Sequence, residues 1–472
     1  MQNTSWLGFS IDRSSNTPVF EQICAAIRSQ AISGQLATGS KLPPTRVFAT
    51  ELGVSRSTVV TAYDQLVAEG YIESLPGSGY SLCALGEVEL PRAPKAEQAE
   101  PTRTGPRRIR CFEGGQPDMR LFPYRPWAKT LARLCRRDPQ SLLVGGQVFG
   151  SFDLRQAIAA HVAEWRGIDA SPHQIIVTAG ATDALEICLR LLAQPGDGIG
   201  VEDPGYQPLL RFVRAQGMRP VYLPIDPQGA EVPTEQEAPR LVTLTPSHQF
   251  PLGGAMSPGR RQEFIRWAGE NDGWIIEDDY DSEFRYAGRP IPALAGFDRL
   301  NRTIYIGSFS KIFSNSLRLG YAIVPQELVE GFRSTMRQSG LKASFMPQPP
   351  LAEFITSGEF YRHLRRVRRI YGERRRYLMT RLAQDFAPYG QLRDTQAGMQ
   401  LLFHLHDGLS DRDLVARGAA RGLSLQALSD HAAEAEGCNG LILGFCAFSP
   451  EELEPALAQL KICFQDAAGQ QS

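Results

Sequence analysis

A small, mostly helical unit closed by a hairpin, then an extended connector, then a large α/β unit with a mostly parallel central sheet: this is the fold class the sequence predicts. Three observations carry it. Residues 84–109 hold four prolines (91, 94, 101, 106), alternating charges and almost no bulky apolar side chain, the composition of a semi-stiff linker. Before that stretch, three segments of helical period precede two short strand-like runs around Pro76-Gly77-Ser78-Gly79. After it, apolar strand-like runs alternate with amphipathic helical ones, the order that builds a parallel sheet with helices on both faces.

The expected boundaries are therefore 1–83, 84–109 and 110–472. At about 150 residues per domain, 472 residues allow roughly three folding units. A share of 42% hydrophobic and 21% charged residues excludes a disordered chain. Lys and Arg total 50 against 51 Asp and Glu, so the net charge of −1 excludes a polyanion binder that works by bulk charge, and any contact with nucleic acid must come from local clusters. No apolar run approaches the roughly 18–20 residues of a spanning helix, and MQNTSWLGFSIDR lacks a basic stretch followed by an apolar one. The expectation is a cytoplasmic protein without a membrane partner. Eight scattered cysteines without a CxxC pair read as reduced core thiols. Histidines without HxxxH or HExxH spacing give no metal site.

In the first unit, Phe20, Ile23, Ile27 and Ala31 mark one face of a helix that ends at Gly34. A second short helix follows Pro43-Pro44-Thr45 and stops at Gly53. The third begins with Ser55 as N-cap, buries Val59, Ala62 and Leu66, and ends at Gly70. Tyr71–Ser74 and Tyr80–Leu82 then flank the turn as a hairpin. Three helices and a hairpin make a winged helix-turn-helix, mostly α.

With the Val59/Ala62/Leu66 stripe buried, Arg56, Ser57 and Thr58 lie in the first turn of the third helix, where side-chain donors and backbone N–H groups meet base edges and phosphates of double-stranded DNA. Arg46 starts the preceding helix nearby. Ser55 caps the reading helix, and Gly77, Ser78 and Gly79 form the wing tip. The unit is not basic overall, with five basic residues (13, 28, 41, 46, 56) against six acidic ones (12, 21, 51, 64, 69, 73), so a helical dimerisation module is the rival reading.

In the large unit, IIVTAG leads to ATDALEICLRLL, IGVED to PGYQPLLRFVRAQG, RLVTLTP to SPGRRQEFIRWAGEN, and WIIEDDY is followed by TIYIGSFSK. The ligand crevice of such a sheet lies at the carboxyl ends of the strands, so functional residues are expected just after the apolar runs. Lys311 follows TIYIGSFS, where an amine of lowered pKa forms a Schiff base. Asp278 and Tyr280 are two apart after Trp274-Ile275-Ile276 and share a face. A carboxylate there suits a pyridinium N–H, and a phenol donates to a ring oxygen. Gly180, Ala181 and Thr182 open a helix directly after a strand, offering backbone N–H groups and a hydroxyl to an anion. Ser308, Ser310 and Arg318 add two hydroxyls and a guanidinium beside Lys311. Tyr206, after Glu202-Asp203-Pro204-Gly205, lays its ring on a planar group. Together these groups form the donor set for pyridoxal 5'-phosphate (PLP).

PVFEQ, SGQLATGSKLPPTR and ELGVSRSTVVTAYDQLVAEGYIESLPGSGY resemble the GntR family of winged-helix regulators. The large unit resembles fold type I aminotransferases. TPSHQFPLGGAMS, IIEDDYDSEFRYAGRPIPAL, GSFSKIFSNSLRLGY and YRHLRRVRRIYGERRRYL resemble the MocR subfamily of GntR regulators, from about residue 15 to the end. The resemblance implies a winged helix joined to a PLP-dependent aminotransferase fold type I domain that senses PLP, alone or with an amino compound. It implies Lys311 as the Schiff-base lysine, Asp278 on the pyridine nitrogen and Tyr280 on the ring oxygen. Ala181, Thr182, Ser308, Ser310 and Arg318 are then on the phosphate. It also implies a homodimer with crossed DNA-binding units, and a sensor with at most residual half-transamination; the alternative is a working aminotransferase with an appended DNA-binding unit.

Two departures bear on the effector. Aminotransferases clamp the substrate carboxylate with an arginine on a strand matching GLILGFCAF, where Ile442 stands; no arginine occurs after Arg421. The member that responds to γ-aminobutyrate has a second arginine just after the stacking tyrosine, where Gln207-Pro208 stand. PLP itself or an amine bearing another group, such as a sulfonate, is the expected signal, with Arg211 and Arg285 the remaining candidates for a carboxylate clamp. The eight arginines of 359–376 (362, 365, 366, 368, 369, 374, 375, 376) read as a solvated helix face, and alternatively as a basic surface along DNA.

Overall fold

The computed structural model describes residue 8 and residues 10–75, 77, 79–84, 109–144, 147–234, 236, 239–288, 290–340, 343–393 and 396–469. Contacts divide the chain into two compact units, Met1–Gly105 and Pro106–Ser472. Most of the expected connector, residues 85–108, lies outside the described residues, as do Pro76 and Ser78 of the expected wing tip.

The first unit contains helices Val19–Ile32, Thr45–Leu52 and Arg56–Ala68 and a hairpin of Ile72–Leu75 with Gly79–Leu82. Ser55 caps the third helix as its sequence position predicts: its hydroxyl accepts the Thr58 backbone N–H at 3.2 Å. That helix buries Val59, Ala62, Tyr63 and Leu66 against Ile23, Cys24 and Ile27. Burying Val59, Leu66, Ile23 and Ile27 contributes about 1.5–3 kcal/mol each. The hairpin pairs Ile72 with Leu82 and Leu75 with Gly79, which turns Ile72 and Leu82 into the same core. The Tyr63 hydroxyl donates to the Pro43 carbonyl, tying the third helix to the start of the second.

The second unit is organised by an eight-stranded sheet. Its order is Ile175–Thr178, Gly320–Ile323, Thr303–Ser308, Trp274–Asp279, Leu241–Leu244, Gly198–Asp203, Arg219–Asp226 and Gly229–Ala230. The mostly parallel expectation holds: only Gly320–Ile323 and the short Gly229–Ala230 run against the rest. The strands alternate between two cores. Ile175, Val177, Tyr305 and Tyr321 pack on one face, and Ile176, Ile304, Ile306 and Ala322 on the other, which is why these runs read as continuously apolar.

A second, four-stranded antiparallel sheet follows, in the order Gly390–Leu392, Gln400–Leu405, Gly440–Gly444, Gln426–Ala427. The GLILGFCAF run thus belongs to this smaller layer rather than to the main sheet. No helix among the described residues is long and apolar enough to cross a membrane.

Candidate functional site

The carboxyl ends of the parallel strands surround a cavity of about 340 Å³. Gly180, Ala181, Thr182, Tyr206, Asp278, Tyr280, Ser308, Ser310, Lys311 and Arg318 all line it, so the sequence-predicted set converges on one place. They arrive from four parallel strands of the sheet, at or just past the ends of Ile175–Thr178, Gly198–Asp203, Trp274–Asp279 and Thr303–Ser308, with Arg318 just before the antiparallel Gly320–Ile323.

Lys311 lies just past Thr303–Ser308, and its Nζ donates to the Gly115 carbonyl at 3.0 Å. Burial lowers its pKa, while Asp281 and Asp278 act in the opposite sense. Partial burial beside a carbonyl, at the end of a strand, is a setting in which an amine is more easily deprotonated than in water.

Asp278 sits on Trp274–Asp279 between two carboxyl groups that do other work. Glu277 accepts backbone N–H groups of Leu294 and Ala295 at 3.0 and 2.9 Å. Asp279 pairs with Arg166 at 2.8 Å and accepts the Tyr305 hydroxyl at 2.6 Å. The acidic end of the strand therefore does meet a cation, but through Asp279 and on the face away from the cavity. Asp278 points the other way, and its Oδ1 is buried without a hydrogen-bond partner. Burial pushes its carboxyl up to about 7, with Asp279, Glu202 and Asp281 adding to the rise and Lys311 opposing it. A buried acceptor in this state is costly unless a donor arrives.

Tyr280 follows directly, its hydroxyl 2.9 Å from His248 Nδ1. Burial, reinforced by Asp281 and Asp278, keeps the phenol protonated, well above its ordinary range. On the opposite side the helix Ala181–Leu192 starts at Gly180, whose φ of +104° turns the chain so that the first N–H groups face the cavity. Ser308 Oγ accepts the Ser310 N–H at 3.2 Å, which folds both serines into one turn. Arg318 takes a left-handed φ of +50°, an unfavourable conformation for a side-chain-bearing residue, and its guanidinium has no partner among the described residues. Two backbone N–H groups, three hydroxyls and a free guanidinium suit a phosphate.

Tyr206 stands half out of the protein at 37% exposure, edge-on to Phe250 with ring centroids 6.2 Å apart. Phe250 also meets Tyr280 edge-on at 5.9 Å. Phe250, Gly115, Asp281, Asn315, Gln400 and Gln426 line the cavity too, and the sequence reading missed them. Gln400 and Gln426 come from the small antiparallel sheet, and their carboxamide oxygens converge on Gly114, each 2.9 Å from where a Cβ would stand. No signal in the main-sheet pattern pointed to that layer.

At the place where related enzymes carry the clamp arginine, the small sheet presents no cation to the cavity among the described residues. Ile442 is fully buried against Leu402 and Leu428, and the residue beside it in register, Gln426, is the one that lines the cavity. Opposed residues of an antiparallel ladder share a face, so Ile442, Gln426 and Gln400 lie on the same side of the small sheet, with Ile442 covered by Leu402 and Leu428. Arg211 is exposed on the helix Gln207–Ala215, and neither it nor Arg285 lines the cavity.

In the first unit, Arg46, Ser55, Arg56 and Ser57 are exposed and Thr58 half-buried. Arg56 Nε donates to Thr45 Oγ1 at 3.4 Å, so the starts of the second and third helices share one face. Ser55 Oγ lies 2.7 Å from Ser57 Oγ and 2.8 Å from Thr58 Oγ1, a local cap network. Arg28, by contrast, is engaged by Glu21 and Glu69 at 2.8 and 2.7 Å. Gly77 and Gly79 are at the hairpin end; Ser78 lies outside the described residues.

The arginines of 359–376 do not form one surface. They lie on the helix Glu359–Asp385, which buries Arg374 and Arg375 and half-buries Arg368. Arg374 pairs with the buried Asp118 at 2.8 Å. Arg362, Arg365, Arg366, Arg369 and Arg376 are exposed, and Arg362 and Arg369 pair with Glu359 and Glu373 on the same helix.

Comparison with known proteins matches residues 20–81 to the family of bacterial regulatory proteins of gntR type and residues 115–427 to aminotransferase class I and II. A relative described as a probable rhizopine catabolism regulatory protein, MocR, from Rhizobium meliloti is 36% identical over 470 residues, covering 96% of this chain and 95% of the relative. The HTH-type pyridoxine biosynthesis transcriptional regulator PdxR of Corynebacterium glutamicum is 34% identical, covering 94% and 95%. Among solved structures, LysN, an α-aminoadipate aminotransferase from Thermus thermophilus, is similar with a TM-score of 0.69 at 26% identity, over 76% of this chain and 92% of that one. Two modules in this order, matched end to end by such relatives, place the chain in the MocR subfamily of GntR-type transcriptional regulators, a winged helix-turn-helix joined to a fold type I aminotransferase-like domain.

Proposed function

We propose that this protein is a cytoplasmic, homodimeric transcriptional regulator that binds operator DNA through the winged helix and senses PLP, alone or with a small amine, at the cavity around Lys311. The observation that carries the reading is the unpartnered, buried Oδ1 of Asp278. A pyridinium N–H is the donor that such an acceptor lacks, and the remaining groups fit the rest of the same molecule. Lys311 meets the aldehyde, Tyr280 the ring oxygen and Tyr206 the ring face. The opening turn of Ala181–Leu192 with Ser308, Ser310 and Arg318 takes the phosphate. When bound, the cofactor supplies a carbonyl that condenses with amines and a ring that accepts electrons.

The chain's own residues favour a sensor over a working aminotransferase. Apart from Lys311 and Arg318, no cation lines the cavity among the described residues, and a desolvated carboxylate needs a bidentate partner. Gln400, Gln426 and Asn315 offer neutral hydrogen bonds instead. The relative named for pyridoxine biosynthesis supports PLP as the signal. On the DNA side Arg56 reads base edges, with Arg46, Ser57 and Thr58 on the backbone and Gly77 to Gly79 at the wing.

Adding PLP to the purified protein is expected to produce a visible absorbance band and to alter the footprint on its own promoter. Sustained turnover of an amino donor and a keto acid would instead favour the aminotransferase alternative.

A further inference from the structure

Tyr280 is held from behind by two buried side chains that no part of the cofactor reading uses. His248 Nδ1 lies 2.9 Å from the Tyr280 hydroxyl and also 2.9 Å from Asp281 Oδ1. His248 and Asp281 are 6% and 2% exposed. The imidazole is clamped in place. At Gly398, whose φ is +87°, a Cβ would lie 2.3 Å from His248 Cε1, so the ring occupies the space that any other residue would fill. Gly398 is itself fixed, donating its N–H to the Phe284 carbonyl and accepting the Tyr286 hydroxyl, both at 2.9 Å.

We infer that Asp281 and His248 are positioning residues that set the direction of the Tyr280 hydrogen bond, so that the phenol accepts from His248 and its own proton is free to point into the cavity. Donors and acceptors decide the direction, given Tyr280 on the ring oxygen as proposed above. An ionised carboxylate only accepts, so Asp281 requires a hydrogen on Nδ1, whether the imidazole is neutral or charged. One N–H shared between two oxygens is a three-centre bond, and in it the Tyr280 oxygen is an acceptor. The phenolic hydrogen then cannot lie on Nδ1 and is left for another acceptor. Without Asp281 the proton can move to Nε2, Nδ1 becomes an acceptor, and Tyr280 donates backwards. The other charged groups around the pair are Asp278, Asp279, Glu202 and Lys311.

Two measurements test this. In the cofactor-free protein, ¹⁵N NMR of labelled histidine, assigned with His248→Gln, is expected to show Nδ1 of His248 protonated; a bare Nδ1 overturns the inference. In the loaded protein, a phenol that donates to an anionic ring oxygen lowers the pH at which the visible band titrates. Asp281→Asn is therefore expected to shift that midpoint by about one pH unit differently in the wild-type background than in Tyr280→Phe, where no phenol remains to be redirected. Equal shifts in the two backgrounds mean that Asp281 acts only as a charge, and overturn the inference. A protonated Nδ1 in a protein that forms no visible band at all would uphold the hydrogen-bond direction and refute the cofactor reading.

Discussion

The Nζ of Lys311 is anchored to the carbonyl of Gly115, a residue 196 positions earlier in the chain. The approach is close because Gly115 has no side chain: a Cβ there would stand 2.6 Å from Nζ, and its φ of +64° suits glycine in any case. The segment that follows the connector thus forms part of the wall against which the Lys311 amine rests.

Gly115→Ala is accordingly expected to displace the Lys311 amine at a strain cost of about 1–2 kcal/mol and to weaken retention of PLP. Dialysis followed by absorbance measures it. Lys311→Ala is expected to lose the borohydride-reducible adduct entirely, and an adduct that survives in that variant would move the attachment elsewhere.

Asp278 makes the cofactor-free protein sensitive to pH. Its carboxyl stands at about 7 in the folded state against an ordinary 3.8, and Glu202, buried under Thr245, is raised to about 7 from 4.5. Between these values the folded chain holds protons on these two groups that the unfolded chain releases, so their contribution to stability is greatest at the acid side of the window and falls as pH rises through it. Cofactor-free Asp278→Asn is expected to unfold at higher temperature than the wild type at about pH 8, and the difference is expected to shrink towards about pH 5. A difference that does not change with pH would remove Asp278 from this role.

Most of the fold and site was legible in the sequence where chemistry coincides with a strand end. Lys311, Asp278 and Thr182 each follow an apolar run of the main sheet, so periodicity placed them before any contact was known. Gln400 and Gln426 were not legible, because they sit on short antiparallel strands that pack from another layer, and a carboxamide carries no charge to mark it. Ile442 stands on the same face of that small sheet as Gln400 and Gln426 but deeper, a difference of depth that matching a strand by composition does not reveal. The resemblance carried the family, which periodicity does not supply; the expectation of a homodimer rests on that resemblance alone.

Recognition of DNA is expected to separate from cofactor binding. Arg56→Ala removes a guanidinium from the exposed first turn of the reading helix, at an expected loss of about 1–3 kcal/mol of discrimination between operator and unrelated duplex. Fluorescence anisotropy at fixed salt measures this, and the cofactor spectrum of the variant is expected to match the wild type. Unchanged operator affinity would transfer recognition to other cations, with the exposed arginines of the helix Glu359–Asp385 first in line.

The expected effector follows from the cavity's cations, which among the described residues are Lys311 and Arg318, both given above to PLP. Calorimetry of the PLP-loaded protein with alanine, glutamate and γ-aminobutyrate is expected to show no micromolar binding, because a carboxylate left without a bidentate arginine pays several kcal/mol of desolvation. Taurine tests the sulfonate option in the same series. Tight binding of a common amino acid, with loss of the visible band, would contradict the expectation that no further arginine clamps a carboxylate there.

The central claim is that PLP at Lys311 controls operator binding, and the most direct measurement is affinity for the protein's own promoter with and without PLP, in wild type and in Lys311→Ala, at one salt concentration. PLP is predicted to change the wild-type affinity and to leave that of Lys311→Ala unaltered. Equal affinities with and without PLP in a wild-type protein whose visible band shows it to be loaded would contradict the account.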